Sequence, residues 1–396
     1  MKNEVDFKPL VETFIINDVQ SFNHFKNKYS MFPVAEVIHL GKDITSDINY
    51  SEFVNLCKRI EVDEDNEFFS ADDQGLLYNK SKTCLLSCPM YKTGSVEIED
   101  GVQRIAANAF YNTSIENIKI PGSVSVIEDG AFVSCQKIKT LEFCEGIYAL
   151  SANHSCLFIN CDEIDKLRLP STIKSIHRCF ESIRINELVL KDGIEYISED
   201  ALEYVSGIVC LPDSLKRIDR DNFKNAHKII AKNYIDGIFS CFLSEHIHMR
   251  NKIVEIILND EKIYMPSKMN SNHFLDLEKK ILLTGFKKNY FYEAESIIAA
   301  SCNDPISKNA IIMNYNLRHN HDLENYIKKN ALELGERFIE YHDTNMLLQL
   351  LKTNLVSEED LRALVAIATK MNDSIMAAYI LDKHNELYST PCNFDI

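Results

Sequence analysis

Between residues 96 and 223 the apolar positions follow neither a helical stripe nor plain alternation. They come in blocks: VEIEDGVQRIAANAF (96–110), IKIPGSVSVIEDGAF (118–132), LEFCEGIYAL (141–150), LRLPSTIKSIHRCF (167–180), LVLKDGIEYISEDAL (188–202) and VCLPDSLKRIDRDNF (209–223). Aligned, they share an apolar column at Ile98, Ile120, Phe143, Leu169, Leu190 and Leu211, in steps of 22, 23, 26, 21 and 21 residues. A second column is Val102, Val124, Ile147, Ile173, Ile194 and Leu215; a third is Ile105, Ile127, Leu150, Ile176, Ile197 and Ile218. A small-plus-bulky pair follows at Ala109-Phe110, Ala131-Phe132, Cys179-Phe180, Ala201-Leu202 and Asn222-Phe223. A fixed period across several registers is the signature of a repeat architecture.

Each block predicts one coil of a right-handed solenoid. Its L-x-L piece alternates apolar and polar residues, which predicts a short strand with one buried face. Pro or a charged residue ends that strand, because Pro cannot donate to a ladder. V-x-x-I turns the chain back across the core, and the small-bulky pair closes it. One coil cannot bury its own apolar face, whereas coils stacked about 4.8 Å apart can. Burial then makes Ile127→Asp strongly destabilising in expectation. Weaker copies, VIHL (37–40) and RIEV (59–62), lie 22 residues apart and put the start of the solenoid near residue 34. FFSADDQGLLYNKSKTCLLSCPMYK (68–92) reads as a hairpin, with LLY and TCLLSC as strands and NKSK as the turn.

These blocks resemble the BspA-like leucine-rich repeats, a bacterial surface-antigen type. The 68–92 stretch is similar to a unit that often precedes such coils, through Asp73, Gly75, Leu76, Leu77, Tyr78, Asn79, Lys80 and Pro89. The departures are the stretched coil at 141–166, Lys191 in place of the usual Pro, and Ile or Val in place of much of the Leu. The resemblance implies a surface antigen, and so adhesion as one reading.

Near residue 235 the period stops. From 245 onward HIHMRNKIVEIIL, HFLDLEKKILLTGF, YEAESIIAA and LENYIKKNALELGERFIEYH read as helices, with Met265-Pro266-Ser267 as a joint. DTNMLLQLLKTN (343–354) and DSIMAAYILDKHN (373–385) begin 30 residues apart, and Ser357 with Asp360 looks like a helix N-cap and acidic first turn. Helix pairs at this spacing are similar to ankyrin-like repeats but lack T-P-L-H, so an irregular bundle stays open. The expected fold class is therefore an α+β repeat protein. A helical N-terminal cap spans 1–33, a leucine-rich-repeat-type β solenoid spans 34–235, and an all-α helical-repeat domain spans 240–396.

Composition narrows the function. Lys plus Arg is 43 and Asp plus Glu is 59, a net charge of −16, which argues against nucleic acid or an anionic membrane as main partner. MKNEVDFKPLVETFII is no secretory signal, and no window approaches 18 uninterrupted apolar residues. Cys392 is fifth from the end, one place off a prenylation box. Twelve cysteines scattered through a long chain read as buried free thiols in a reducing compartment, and the expected location is cytoplasmic.

No phosphate loop, nucleophile elbow or H-E-x-x-H occurs. The acidic run EVDEDNEFF (61–69) has Phe68 where an EF-hand needs Gly, and reads as a solvated turn. His246 and His248 with Cys241, and His319 with His321, each lack a second ligand pair for zinc. Cys84 and Cys88, four apart in a strand, point inward together. No metal, cofactor or catalytic residue is expected. The outward strand positions do form columns: Glu97, Lys119, Glu142, Arg168, Val189 and Cys210, flanked by Thr140, Lys166, Glu187 and Ile208. Such a ladder is either a binding face or a soluble surface of cross-strand ion pairs. The favoured reading is a non-enzymatic scaffold binding a protein of unknown identity through Glu97, Lys119, Glu142, Arg168, Lys166, Glu187 and Val189. The alternatives are a recognition arm with a regulatory or effector activity in 240–396, and cell-surface adhesion.

Overall fold

The computed structural model describes residues 11–28, 35–50, 54–150, 157–181, 183–243, 252–268, 290–300 and 304–388. The chain forms two units, Met1–Phe242 and Leu243–Ile396.

The first unit opens with β1 (Val11–Ile16), α1 (Val19–Lys28), β2 (Ala35–Leu40) and β3 (Cys57–Val62). The three strands form a parallel sheet in the order β1-β2-β3, with Ile16 opposite Leu40 and Ile38 opposite Ile60. Of the helical cap expected over 1–33, residues 1–10 lie outside the described residues, and 11–16 are a strand. Parallel stacking thus starts one strand before residue 34. VETFII is β-branched at Val11, Thr13, Ile15 and Ile16, and this favours the pleat over a helix.

Next come β4 (Phe69–Ala71), β5 (Leu77–Asn79) and β6 (Cys84–Ser87), antiparallel neighbours. The expected hairpin is present, and β4 is an extra strand. Asn79 closes its turn, accepting from the Cys84 N–H and donating to Ser81 and Thr83. Asp72, rather than the neighbouring Asp73, is the buried acid of this unit. It accepts from the Leu76 N–H at 2.8 Å and the Tyr78 hydroxyl at 3.0 Å. Gly75 has φ +80, and a Cβ there would lie 2.3 Å from Arg59 Cγ. Cys84 and Cys88 are both buried. The acidic run is a turn pinned by buried Asn66, which donates to the Gly41 and Ile44 carbonyls and accepts from the Phe68 and Phe69 N–H groups.

The regular coils then give one long and one two-residue strand each: β7 (Thr93–Glu97) and β8 (Arg104–Ile105), β9 (Ser114–Ile120) and β10 (Val126–Ile127), β11 (Thr140–Phe143) and β12 (Ala149–Leu150). They continue as β13 (Glu163–Leu169) and β14 (Ser175–Ile176), β15 (Arg184–Leu190) and β16 (Tyr196–Ile197), β17 (Tyr204–Cys210) and β18 (Arg217–Ile218), then β19 (Asn225–Ala231). The long strands form one parallel sheet, β7-β9-β11-β13-β15-β17-β19. The short ones form two ladders: β6-β8-β10, and β12-β14-β16-β18.

The break between β10 and β12 falls at the stretched coil. It leaves Ile127 half-buried and Val126 46% exposed, whereas Ile105, Ile176 and Ile197 are fully buried. Ile127 is therefore not the interior position the repeat alignment assigned it.

The second column, Val102 to Leu215, is buried throughout. The third side is a stack of rings: Phe110, Phe132, Phe158 and Phe180, with successive centroids 5.1, 5.0 and 5.5 Å apart and planes within 21°. Phe158, with Leu157, supplies the small-bulky position missing from the third block. The Phe132 N–H donates to the Leu157 carbonyl just as the Phe110 N–H donates to Ala131. Each fully buried ring contributes about 1.5–3 kcal/mol by leaving water.

The second unit begins with a β-hairpin, β20 (Ile253–Leu258) and β21 (Glu261–Pro266), where helix was expected. Ile253, Ile256 and Ile257 do match a helical spacing, but Val254, Ile256 and Leu258 are the residues buried, at period two. Asn259 and Asp260, with φ of 51° and 65°, make the two-residue turn of mirror-image type that asparagine and aspartate favour. Met265-Pro266-Ser267 is no joint: Ser267 clamps the hairpin base by bonding both backbone groups of Lys252. HFLDLEKKILLTGF lies outside the described residues.

Six helices follow among the described residues: α2 (Tyr290–Ala300), α3 (Pro305–Arg318), α4 (His321–Glu340), α5 (Thr344–Lys352), α6 (Glu358–Lys370) and α7 (Ser374–Tyr388). α2, α4 and α6 pack in one row; α3, α5 and α7 pack in another. The 30-residue repeat is visible in matching caps. Asp343 accepts from the Met346 N–H and Asp373 from the Met376 N–H, each after a left-handed residue, His342 or Asn372. His342 Nδ1 meets Asp373 Oδ2 at 3.0 Å, linking the two turns. Ser357 caps α6 through the Asp360 N–H, as its sequence suggests. Buried Asn314 on α3 treats the hairpin as a neighbouring strand would, accepting from the Tyr264 N–H and donating to the Tyr264 carbonyl, each at 2.8 Å.

Candidate functional site

The outward columns assemble as the repeat predicts, up to a point. Glu97 lies opposite Lys119, Lys119 opposite Glu142, Glu142 opposite Arg168, and Arg168 opposite Val189. Thr140, Lys166 and Glu187 form the flanking column. The proposed binding charges, however, are bound to one another. Lys119 pairs with Glu97, Lys166 with Glu187, and Arg168 Nη1 with Glu142 Oε2 at 3.3 Å. Lys139 joins Glu116 at 2.6 Å in the same manner. The hydrogen bond to Glu97 holds the Lys119 ammonium above its ordinary range, and that from Lys139 holds Glu116 below the usual carboxylate range.

At the edge of the sheet Lys191, which replaces the usual Pro, reaches Glu145 at 2.8 Å across two coils. With the Ser171 hydroxyl and N–H it draws the Glu145 carboxyl down to about 2. Side-chain charge on this part of the face is thus largely satisfied internally. Exposed pairs of this kind add little to stability, but they leave little charge free for a ligand.

Past Arg168 the face changes. The β15–β17 register runs through Arg184–Tyr204 and Ile185–Val205 and does not extend to Val189. β17 is irregular at Gly207–Ile208 against β19. Val189 and Cys210, neighbours in the sequence alignment, are therefore not partners in the ladder. Beside them opens a groove of about 240 Å³ whose lining mixes Leu190, Cys210, Pro212 and Ile230 with charged Asp192, Asp213 and Lys232, the last two paired at 3.0 Å. Ile208 stands 52% exposed, and Cys210 is exposed as well. This end of the sheet presents exposed apolar side chains beside the Lys232–Asp213 pair, where the other end presents ion pairs.

One charged group was not foreseen from the sequence. Lys224 is buried, with its ammonium 2.8 Å from Glu203 and 2.9 Å from Asp221. Burial pulls the ammonium down, but hydrogen bonds to those two carboxylates outweigh it and hold the group above its ordinary range. It ties successive coils together rather than facing a ligand. DRDNFK gave no hint of this, because the partners lie in different repeats.

His246 and His248 lie outside the described residues. His319 is the left-handed C-cap of α3, its ring edge-on to Tyr315 at 4.9 Å, while His321 begins α4 and contacts Asn325. Cys57, Cys84, Cys88, Cys135, Cys161, Cys179 and Cys241 are buried free thiols, and burial pushes the Cys57 thiol up to about 12. Among the described residues no helix is long and apolar enough to cross a membrane.

Residues 103–230 match the family described as the BspA type leucine rich repeat region, in six copies. No curated protein matches the chain significantly. Among solved structures, a leucine-rich repeat protein from Eubacterium ventriosum is 21% identical, with TM-score 0.35, over 54% of this chain and 63% of that one. A leucine rich cell surface protein from Faecalibacterium prausnitzii is 22% identical, with TM-score 0.31, over 50% of this chain and 48% of that one. The pneumococcal vaccine antigen PcpA is 18% identical, with TM-score 0.28, over 50% of this chain and 51% of that one. The chain therefore spans about half to two thirds of the length of these structures. Period and ladder agree with the BspA type leucine rich repeat match over residues 103–230.

Proposed function

We propose that this protein is a non-enzymatic repeat scaffold that binds another protein through its solenoid sheet, and that contact centres on the apolar end of that face. The observation that carries this is the change at Val189. Before it, outward charges are paired; after it, Ile208 is exposed and Cys210 and Ile230 line a groove that also holds Asp192 and the Lys232–Asp213 pair, where the β15–β17 register ends. Apolar surface beside a polar rim is what a protein interface requires. Glu97, Lys119, Glu142, Lys166, Arg168 and Glu187 then form the rim rather than the centre.

Affinity enrichment from the native host with full-length protein, read by mass spectrometry, tests this. A partner should be enriched by wild type and lost with Ile208→Arg. Equal enrichment by both proteins, or none by wild type, would sink the proposal.

The matching caps at Asp343 and Asp373 support reading the helical rows as an ankyrin-like stack, a second surface on which an effector or regulatory role would sit. A cytoplasmic location fits the buried thiols. Protease shaving of intact host cells separates it from surface adhesion, which predicts loss of the protein on shaving.

A further inference from the structure

Three residues past each stacked ring stands a second column. Phe110, Phe132, Phe158 and Phe180 lead to Thr113, Cys135, Cys161 and Ile183, all buried. Two backbone bonds hold the middle pair of coils side by side here. The Phe132 N–H donates to the Leu157 carbonyl at 3.1 Å, and the Ser134 N–H donates to the Ile159 carbonyl at 2.7 Å. Cys135 and Cys161 therefore hold the same place in neighbouring coils. These are the coils whose short strands, β10 and β12, fall in different ladders.

The column draws the two sulfurs together. Each thiol points back one coil: Cys135 donates to the Phe110 carbonyl at 2.8 Å, and Cys161 to the Phe132 carbonyl at 2.9 Å. The Phe132 carbonyl also accepts from the Cys135 N–H, so Cys161 Sγ reaches into the coil that carries Cys135. Cys135 Sγ in turn lies 3.5 Å from Thr113 Oγ1. The rings of these two coils have centroids 5.0 Å apart. A disulfide needs Cα atoms about 4.4–6.8 Å apart, so one coil step suits it. The Cys161 side chain hydrogen-bonds Cys135; against the opposing effect of burial, and with Thr113, it holds the Cys135 thiol below its ordinary range. The same bond and burial hold Cys161 above that range. A lowered thiol beside a second thiol is the arrangement of a redox-responsive pair. Cys161, 9% exposed, is the member nearer solvent, and Cys135 is fully buried.

We propose that Cys135 and Cys161 are an oxidation site, at which hydrogen peroxide joins the two coils through a disulfide. The Cys135 sulfur attacks one peroxide oxygen and the O–O bond breaks. The departing hydroxide takes the Cys135 thiol proton and leaves as water, so that Cys135 becomes a sulfenic acid. The Cys161 sulfur then attacks the Cys135 sulfur and the S–O bond breaks. The Cys161 proton leaves with that oxygen as a second water. Two thiols are oxidised, and one peroxide is reduced to two waters. Peroxide, little larger than water, suits a site this enclosed. The bond staples the coils where the short-strand ladder is interrupted. It also takes freedom from the unfolded chain over residues 135–161.

The test treats the folded full-length chain with hydrogen peroxide, unfolds it in iodoacetamide, and maps its tryptic peptides by mass spectrometry. Peptide 120–137, which holds Cys135, should appear linked to peptide 140–166, the pair lighter by two hydrogens. Fragmentation should place the second sulfur at Cys161 rather than Cys144 or Cys156. Dithiothreitol should separate the peptides, and Cys135→Ser or Cys161→Ser should abolish the link. A serine hydroxyl still donates to the same carbonyl, so both variants should fold; if either does not, the wild-type peptide map decides alone. Oxidised wild type should melt several degrees above the reduced protein, with no such rise in the variants. Cys135 recovered alkylated or as a sulfinic acid, or joined to any other cysteine, overturns the proposal. A link at Cys161 that leaves the melting temperature unchanged overturns the stapling role.

Discussion

The two units solve the same problem, a repeat that cannot bury its own apolar face, by different means. In the solenoid, the main neighbour contacts among the described residues run in columns: backbone ladders on two sides and a ring stack on the third, with a Lys–carboxylate tie at Lys224. One residue type per column therefore fixes the register. In the helical unit the rows meet through side chains of varied size, and the repeat survives only in its caps. Where packing is close it is so at single points, as at Gly335, whose added Cβ would fall 2.5 Å from Leu364 Cδ1. Columns tolerate a long insert, as the stretched coil shows, but lose one ladder where it occurs.

The largest expected effect probes that lost ladder. Ile105→Asp places a charge inside the β6-β8-β10 ladder, with a paired strand on each side, and should cost more than about 4 kcal/mol, or prevent folding. Ile127→Asp, at the edge of the broken ladder, should cost clearly less, and equal losses in denaturant titrations would show that the ladder is not interrupted.

Phe158→Ala comes next, at about 3–5 kcal/mol, because it opens a gap between two stacked rings. A loss under about 1 kcal/mol would mean that the stretched coil does not continue the stack. Asn314→Ala should cost about 2 kcal/mol by stranding both backbone groups of Tyr264. Its signature is faster hydrogen exchange in 253–266 with none in 114–120; uniform change would show that the amide is not a local clamp.

The smallest effect concerns a surface pair. With its carboxyl depressed to about 2, Glu145 adds stability above the ordinary carboxylate pKa near 4.5, and this is lost as pH falls towards 2. NMR titration should place Glu145 below the other surface carboxylates, and Lys191→Ala should move it back up. An unmoved value would mean that Lys191 does not hold it.

Most of the solenoid could be read in the sequence because each column needs one chemistry at one spacing. Ile105, Ile176 and Ile197 gave the third register directly. Leu157-Phe158 escaped because the insert displaced them from phase. The hairpin at 253–266 reads as a helix because isoleucines at 253, 256 and 257 match a helical spacing, while Val254, Ile256 and Leu258 form the period-two set; the Asn259-Asp260 turn is the signal that decides. The outward columns were placed correctly as far as Val189, but sequence spacing does not show that Lys119 and Lys166 are held by Glu97 and Glu187. Nor does it show β15 parting from β17.

The central claim is that the sheet face is divided, with its apolar end free to bind and its charged end closed on itself. Hydrogen exchange on the protein with its enriched partner bound tests it most directly. The account predicts slowed exchange in 204–210 and 225–231, with 93–97 and 114–120 unchanged. Protection confined to 93–97 and 114–120, or absent from the sheet altogether, would contradict it.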